Sequence, residues 1–469
     1  MRVLLINTNR ISPPIAPLAL DYIGSVLGSA GHEVDVLDLC WATDASRTIA
    51  ETFASRVVDL AAVTFRNTDD CYFASRRSFV PRLQQDVAMV RAHFDGPVVV
   101  GGAGFSLMAS QLLELVRVPY GIRGDGEAAL PALTQALRGD ISLADVPGLI
   151  YREQGRWRQN APAEADLQAQ SLAARDVVDN RRYFARGGQA GIETKRGCAG
   201  RCIYCADPVI KGRRVRLRPP ADIVAEVRNL LAQGIDYLHL CDSEFNAPEA
   251  HAADVCRAFI NAGLGERIRW YTYASPVPFS RNLAMLMRRA GCAGINFGAD
   301  HGADRMLAAL GRDFTTADVR RTVQACRNAG IVVMIDLLLG APGETWSTVA
   351  ETIELMKAVC PDCVGLSLGV RVYPGTALAA RLAKAKADCQ GLIGDPAGIE
   401  PAFFLSPDLG EQPQQQVRAL VGHDERFFFP FGSDEQDYNY NDNAVLQGAI
   451  DAGWPGAYWD ILRQARAPK

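Results

Sequence analysis

The chain has 469 residues, which is more than one ordinary domain needs, so two or three domains are expected. Hydrophobic residues make up 48% and charged residues 22%, as in a globular protein with a full core. The net charge of −4 predicts no basic surface for nucleic acid or an anionic membrane. The start lacks a signal peptide's apolar core, and no stretch of about eighteen apolar residues could span a bilayer. We therefore expect a cytoplasmic protein with neither nucleic-acid nor membrane partners.

The first 140 residues alternate short apolar runs with helical periodicity. Strands are predicted at 3–6, 32–37, 60–64, 98–100 and 120–122. Helices are predicted at 17–27, 44–56, 79–92, 107–116 and 127–137. Five such units without long hairpins favour an open parallel sheet covered on both faces, which binds ligands at the carboxyl ends of its strands.

Polar and glycine residues collect where four of these strands end. The four loops are 7–9, 64–70, 101–106 and 124–127. Glycines allow close backbone approach, and helix N-termini favour a phosphate. One such loop could be only a tight turn, but four on one edge favour a phosphate or nucleotide site. The GGxG of Gly101 to Gly104 is not the dinucleotide fingerprint, so the kind of nucleotide stays open.

After a connector with a predicted hairpin around Gly155, a second alternation begins at Gly191. Six strands are predicted at 191–195, 236–241, 268–274, 293–298, 331–339 and 364–372. The helices between them are predicted at 220–233, 248–262, 279–290, 315–328 and 346–359. This pattern favours a parallel partial barrel, whose active face is again the carboxyl end of its strands.

The last 79 residues, 391–469, break the alternation and predict a small capping segment. Three aromatic residues, Phe427 to Phe429, are expected to pack on the barrel. Tyr438 and Tyr440 are equally compatible with packing and with lining a pocket.

Three cysteines, Cys198, Cys202 and Cys205, follow the first barrel strand within eight residues. Thiolates are soft ligands for zinc or for an iron–sulfur cluster. Zinc needs a fourth ligand, and no histidine lies near in sequence, so a cluster is favoured over zinc. Because a cluster normally takes four cysteines, three leave one iron open. A second metal or redox site at Cys360 and Cys363 is the less favoured reading of that pair.

The CxxxCxxC loop, with Tyr204 before its last cysteine, resembles the radical S-adenosylmethionine (SAM) superfamily. The resemblance implies a [4Fe-4S] cluster whose open iron binds SAM. By the same resemblance, the amino group of SAM lies at Glu244 and its carboxylate at Arg312, for which the alternative is a surface ion pair. The full set of SAM-binding residues that it implies is Tyr204, Ser243, Glu244, Tyr273, Asp300, Arg312, Asp336 and Gly340.

A five-unit sheet before such a barrel resembles the cobalamin-binding domain of the B12-dependent radical SAM enzymes. The chain lacks Asp-x-His-x-x-Gly, the motif that supplies a histidine ligand to cobalt. The run from Arg66 to Asp70 resembles the tryptophan C2-methyltransferase branch, which places Arg66 near the lower face of cobalt; the alternative is an ion pair with Asp69 or Asp70. The cobalamin-binding residues implied are Asn9, Thr64, Arg66, Asn67, Gly101, Gly102, Phe105, Ser106, Gly124, Asp125, Gly126 and Glu127.

The resemblance implies an α/β protein with four parts. They are a Rossmann-like (flavodoxin-like) cobalamin-binding domain at 1–145, a connector at 146–190, a partial (β/α)6 barrel at 191–375 and an α-rich capping domain at 376–469. It implies a methyltransferase that moves a methyl group from SAM through methylcobalamin to a small molecule, with an electron donor such as flavodoxin or ferredoxin. The alternatives are a non-methylating rearrangement or cyclisation, and a cobalamin-binding sensor with a structural cluster. No catalytic residue is assigned.

Overall fold

The computed structural model describes residues 1–169, 174–385, 390–429 and 440–466. Tyr438, whose role was left open above, lies outside these ranges. Within them, no helix combines the length and the apolar character that a membrane crossing requires.

The first half of the chain builds one twisted sheet. Its strands are β1 (Arg2–Asn7), β2 (Glu33–Asp38), β3 (Leu60–Thr64), β4 (Val98–Gly101), β5 (Tyr120–Ile122), β6 (Leu149–Glu153) and β7 (Arg156–Gln159). Their order is β2-β1-β3-β4-β5-β6-β7, with β1 to β5 parallel and β6 and β7 antiparallel. The hairpin predicted around Gly155 therefore extends this sheet into the stretch that the sequence predicted as a connector.

Helices cover both faces of this sheet. They are α1 (Leu18–Ser29), α2 (Ala45–Ser55), α3 (Val80–His93), α4 (Ala103–Leu107), α5 (Ala109–Val116) and α6 (Gly126–Arg138). Successive side chains of a strand point to opposite faces. In β1, Leu4 and Ile6 join the core under α2, α3 and α5, whereas Val3 and Leu5 join the core under α1 and α6. Because both faces are buried, β1 has a nearly continuous apolar run, and the predicted open parallel sheet is confirmed.

The remaining strands belong to a second large sheet and two small ones. They are β8 (Ala190–Ile192), β9 (Lys195–Arg196), β10 (Arg216–Leu217), β11 (Tyr237–Leu240), β12 (Arg269–Ala274), β13 (Cys292–Asp300), β14 (Val332–Leu339), β15 (Cys363–Leu368), β16 (Val370–Val372), β17 (Leu392–Ile393), β18 (Ala402–Phe404) and β19 (Phe427–Phe428). The large sheet has the order β19-β15-β14-β13-β12-β11-β8, and all its pairs are parallel. The predicted partial barrel is present, with β19 added at one edge.

The helices of this half surround the second sheet and end the chain. They are α7 (Asn180–Gly187), α8 (Asp207–Ile210), α9 (Pro220–Ala232), α10 (Glu249–Asn261), α11 (Arg281–Arg289), α12 (Asp304–Ala309), α13 (Thr316–Ala329), α14 (Trp346–Val359), α15 (Ala377–Ala385), α16 (Pro413–Val421), α17 (Ala444–Asp451) and α18 (Tyr458–Arg466). Phe427, Phe428 and Phe429 are buried, so their predicted packing is confirmed. The final helices α17 and α18 pack on each other and on α7 and β12 side chains.

A buried ion cluster joins the two halves. Asp21 of α1 accepts hydrogen bonds from Arg175 Nε at 2.8 Å and from Asn180 Nδ2 at 2.7 Å. The same guanidinium bonds Glu226 of α9 at 2.8 Å, and Arg218 donates to the other oxygen of Glu226 at 2.6 Å. The side chains of Arg175, Asp21 and Glu226 are at most 1% exposed. The cluster thus holds α1 of the first sheet against α9 of the second.

Candidate functional site

A cavity of about 750 Å³ lies between the carboxyl edges of the two large sheets. The four loops predicted from the sequence meet there. The residues from the first-sheet set that line the cavity are Asn9, Thr64, Arg66, Asn67, Gly101, Gly102, Ser106, Gly124, Asp125, Gly126 and Glu127. From the second-sheet set, Tyr273 lines the same cavity.

Phe105 is the exception in the first-sheet set. Its side chain is fully buried in the core under α3 and α5, and a Cβ added at Gly121 would lie 2.4 Å from its ring. Helix α4 begins at Ala103, and the side chain of Phe105, its third residue, therefore points back toward the sheet. The side chain of Phe105 therefore belongs to the core and not to the cavity lining, and its role in cobalamin binding stays a prediction.

The floor of the cavity continues into an apolar slot between the sheet and helices α1 and α6. The slot is lined by Leu5, Leu20, Ile23, Ala62, Val99, Ile122 and Leu130. At its rim Gly102 has φ of 109°, and a Cβ there would lie 2.6 Å from the carbonyl oxygen of Phe65, so only glycine fits. At Gly102 the backbone leaves room for a flat ring such as a corrin to approach closely. The apolar slot beside it can hold the planar base that the tail of the cofactor carries.

Arg66 projects into this cavity. Within the part of the chain that the structure describes, its guanidinium forms no ion pair. Asp69 instead pairs with Arg371 at 2.8 Å, and Asp70 accepts from Ser75 Oγ at 2.6 Å. The alternative of an ion pair between Arg66 and either aspartate is therefore wrong.

Asp125 and Glu127 are tied to the second half of the chain. Arg196 of β9 bonds Glu127 at 2.8 Å, Glu193 at 2.8 Å and Asp125 at 3.1 Å, and Arg216 of β10 also bonds Asp125. Burial tends to raise the pKa of Asp125, but Arg196 and Arg216 outweigh it and hold that pKa below its ordinary value. These carboxylates thus fix the loop after β5 against the strand that precedes the cysteine loop.

The cysteine loop begins three residues after Lys195 of β9. Cys198, Cys202 and Cys205 are free and partly buried. A Cβ added at Gly200 would lie 3.2 Å from Cys198 Sγ and 3.8 Å from Cys202 Sγ, so two of the thiols converge on one space. Burial raises the pKa of Cys202 to about 11 and that of Cys205 to about 12. Such thiols keep their protons until a metal displaces them, and three soft donors on one loop fit an iron–sulfur cluster.

Four residues of the predicted SAM set form one network beside this loop. Tyr204 Oη donates to Asp300 at 2.6 Å, and Arg312 Nε donates to the same carboxylate at 2.6 Å. Arg312 also bonds Glu244 at 3.3 Å and Cys202 Sγ at 2.9 Å, and it donates to the Gly298 carbonyl. Its side chain is only 8% exposed. The surface ion-pair alternative for Arg312 is therefore wrong.

The other members of that set lie around the network. Ser243 Oγ donates to Asp207 at 2.5 Å, and Asp336 accepts from Asn296 Nδ2 at 2.7 Å. The N–H of Gly340, at φ of 96°, donates to the Glu344 carboxylate. A Cβ on Gly340 would approach Leu405 to 2.6 Å, which explains the need for glycine.

Several lining residues were missed from the sequence. His239 and Cys241 follow the alternation of β11 into the cavity, and Tyr458 and Trp459 reach it from α18. The His239 and Tyr273 rings lie 5.0 Å apart. Burial, with a smaller effect of Arg66, lowers the pKa of His239 to about 4, so its imidazole is neutral at neutral pH. The alternation of side chains along β11 could have placed His239 in the cavity. No local sequence pattern predicts that α18 folds back onto it.

Comparison with protein families assigns the two halves of the chain separately. The model of the radical SAM superfamily matches residues 192–356, and that of the B12 binding domain matches residues 5–134. The first range holds the cysteine loop, and the second holds the four loops at the edge of the first sheet.

Full-length relatives combine both halves. The chain is 32% identical to tryptophan 2-C-methyltransferase of Streptomyces laurentii, over 99% of this chain and 96% of the relative. It matches TsrM of Kitasatospora setae, a radical SAM methyltransferase solved with tryptophan and aza-SAM, at 33% identity and a TM-score of 0.92, covering 99% of this chain and 97% of that one. TsrM with cobalamin and a [4Fe-4S] cluster gives 32% identity and a TM-score of 0.88, covering 99% of each chain.

A more distant enzyme shares the fold alone. The cobalamin-dependent SAM radical enzyme OxsB is 17% identical with a TM-score of 0.73, over 89% of this chain and 66% of that one. The relatives above 30% identity span nearly the whole of both chains. The two family models match the two parts of this chain whose edges meet at the cavity. The chain therefore belongs to the family of cobalamin-dependent radical S-adenosylmethionine methyltransferases.

Proposed function

We propose that this methyltransferase acts on tryptophan and adds the methyl group to C2 of its indole ring. The observation that carries the proposal is the near-complete correspondence, in length and in fold, with tryptophan 2-C-methyltransferase and with the tryptophan-bound TsrM. Family membership favours methyl transfer over the rearrangement and sensor alternatives.

The geometry of the cavity supports an aromatic substrate. His239, Tyr273, Tyr458 and Trp459 line its wall on the second-sheet side, and Tyr273 is 43% exposed to it. Aromatic side chains favour offset or edge-to-face contact with another ring. Because His239 is neutral, its ring offers an indole an uncharged aromatic surface.

We propose that Cys198, Cys202 and Cys205 hold the cluster, and that SAM lies against the network of Tyr204, Glu244 and Asp300. Ser243, Tyr273, Asp336 and Gly340 complete that site. The Arg312 guanidinium already bonds four groups, on Asp300, Glu244, Gly298 and Cys202. We therefore propose that Arg312 orients these groups. The corrin would lie over Gly101 and Gly102 with its tail in the apolar slot.

When bound, SAM supplies the methyl group and cobalamin carries it. The chain's own contribution is position and exclusion of water, which it provides by enclosing the reacting groups between two buried edges. Arg66 in the cavity lining has no lone pair to offer a metal, and its bulk would keep water from the side of a bound corrinoid that it faces.

Further parts of the proposal concern partners and location. A one-electron donor such as flavodoxin or ferredoxin would return oxidised cofactors to their active state. We propose the same four parts as the sequence did, except that the first domain extends to Gln159, because β6 and β7 belong to its sheet. All described cysteines are free, which fits the reducing cytoplasm.

The test is an anaerobic reaction of the reconstituted protein with tryptophan and methyl-labelled SAM. We expect labelled 2-methyltryptophan together with S-adenosylhomocysteine, identified by mass. If the corrinoid- and iron-loaded protein labels no tryptophan but labels another compound of a cell extract, the substrate assignment is wrong. If 5′-deoxyadenosine forms without any methylated product, methyl transfer itself is contradicted.

The role proposed for Arg66 predicts different results for two substitutions. Arg66→His places an imidazole in the cavity lining, and we expect the electron paramagnetic resonance (EPR) spectrum of bound cob(II)alamin to gain splitting from a nitrogen ligand. Arg66→Gln offers no comparable ligand and should show no such splitting. With a nitrogen bound below cobalt, methyl transfer should slow by at least about tenfold, which corresponds to about 1.4 kcal/mol of barrier. Identical spectra for both variants would place Arg66 away from the cobalt.

A further inference from the structure

Arg213 Nη1 donates to the Gly200 carbonyl of the cysteine loop at 3.1 Å. Three more cationic side chains lie around this loop, and two of these three already have partners. Arg312 bonds Asp300 and Glu244, and Lys211 Nζ bonds Asp207 at 3.1 Å. Lys195 differs from both. It is 2% exposed, and among the residues that the structure describes its ammonium has neither a hydrogen-bond acceptor nor an ion-pair partner.

The direction of β9 explains where this ammonium lies. Side chains alternate along a strand, so Lys195 and Arg196 leave β9 on opposite sides. Arg196 reaches Glu127 in the first half of the chain. Lys195 leaves the strand on the other side, where it is buried, and its own N–H donates to the Asp242 carboxylate at 3.2 Å.

The charged and titratable groups that face Lys195 come from several elements. Burial raises the pKa of Cys198, and Lys195 opposes that effect. Burial also raises the pKa of Glu244, which Arg312 and Lys195 partly offset. The ammonium likewise acts on Asp207 of α8 and on His251 of α10. These effects agree with the geometry, in which Lys195 is buried on β9, the strand that leads directly into the cysteine loop.

An unpaired ammonium is costly to bury, on the order of several kcal/mol even after relaxation. The nearby carboxylates of Asp207 and Glu244 are hydrogen-bonded to other cations. The Asp242 carboxylate accepts hydrogen bonds from the N–H groups of Thr194 and Lys195 and from the Thr194 hydroxyl. A further negative charge arises on the cysteine thiolates, which lose their protons when metal binds. Lys195 is thus placed to balance a charge that arises only in the loaded protein.

We propose that Lys195 is the counter-ion of the cluster, with its ammonium against the Cys198 side. The proposal rests on the cluster site assigned under the proposed function and makes Lys195 a positioning residue. One-electron reduction by an external donor adds negative charge to the cluster. A buried cation stabilises the reduced form more than the oxidised one, so it raises the reduction potential.

The experiment compares Lys195→Met, Lys195→Arg and the remote control Lys357→Met, all reconstituted with iron and sulfide. Lys357 lies at the end of α14, where it bonds Glu354 and the Leu420 carbonyl. The cluster is titrated with dithionite and mediators and followed by EPR, and its loss to an iron chelator is timed. Neither measurement depends on methyl transfer.

For Lys195→Met we expect a more negative reduction potential and a cluster that is lost several-fold faster than in wild type. Lys195→Arg keeps the charge and should stay near wild type, as should Lys357→Met. The proposal is overturned if Lys195→Met matches wild type in both measurements, or if Lys195→Arg changes as much as Lys195→Met.

Two controls keep other failures apart. Corrinoid binding shows whether a variant has folded, and Lys195→Gln replaces Lys195→Met if the latter binds none; the same criteria then apply to it. If wild type itself takes up no iron, the cluster site of the proposed function has failed, which is distinct from failure of the counter-ion role.

Discussion

Replacement of Cys202 by alanine is expected to reduce methyl transfer to background while the protein still folds and binds its corrinoid. Cys202 Sγ is one of the two thiols that converge near Gly200, and it accepts a bond from Arg312 at 2.9 Å. A cluster normally has four cysteine ligands, and this loop supplies only three. The two thiols that remain in the variant cannot hold the cluster firmly. Iron content, the EPR spectrum of the reduced protein and product mass measure the loss.

The matched control is Cys360→Ala. Cys360 is exposed at the end of α14, and its neighbour Cys363 is buried within β15, so this CxxC does not present two thiols together. This variant should keep iron, corrinoid and activity near wild type. A Cys202→Ala protein with full iron content and normal activity would contradict the cluster assignment.

The sequence predicted the layers of the fold well because they depend on local patterns. The apolar run of β1 indicates a strand that is buried on both faces, because helices cover both faces of the sheet. The 3.6-residue apolar periodicity of the helices indicates which of their faces is buried. What escaped prediction is that the strand β19 (Phe427–Phe428) and the predicted hairpin β6–β7 join the two large sheets. They do so through backbone hydrogen bonds at a sheet edge, and a short strand has no periodicity that would report its neighbour.

The site was predictable where its chemistry is carried by loops at strand ends. Topology alone brings Arg66, Gly102 and Asp125 to one edge, because carboxyl ends of parallel strands share that edge. The side chain of Phe105 lies in the core and not in the cavity, because one turn of helix reverses the direction of a side chain. Trp459 was missed because its contact with the cavity depends on how the last helix folds back across the sheet.

The pairing of charges explains how two cofactor sites come to face one another. Arg196 links Glu127 of the first half to the strand that carries the cysteine loop, while Lys195 is buried on the other side of that strand. On the proposed assignments, the two adjacent residues of β9 serve the two cofactor sites. A displacement of β9 would then change both sites together.

Replacement of Arg175 by methionine is expected to lower the free energy of unfolding by about 3–5 kcal/mol, because it leaves Asp21 and Glu226 buried without this partner. Burial disfavours the charged guanidinium, but Glu226 and Asp21 outweigh it and raise the pKa of Arg175 above its ordinary value. Denaturant unfolding followed by circular dichroism measures the change. Since Asp21 lies on α1, which borders the apolar slot, corrinoid affinity should fall as well.

The matched control is Arg186→Met, which removes an arginine whose ion pair with Asp451 is 63% and 46% exposed. Exposed pairs contribute about 0–1 kcal/mol, so this variant should unfold almost as wild type does. An Arg175→Met protein no less stable than Arg186→Met would show that the buried cluster does not hold the halves together. If stability falls but corrinoid affinity does not, the apolar slot keeps its shape without the buried ion cluster. That result would contradict the coupling between α1 and the cofactor cavity.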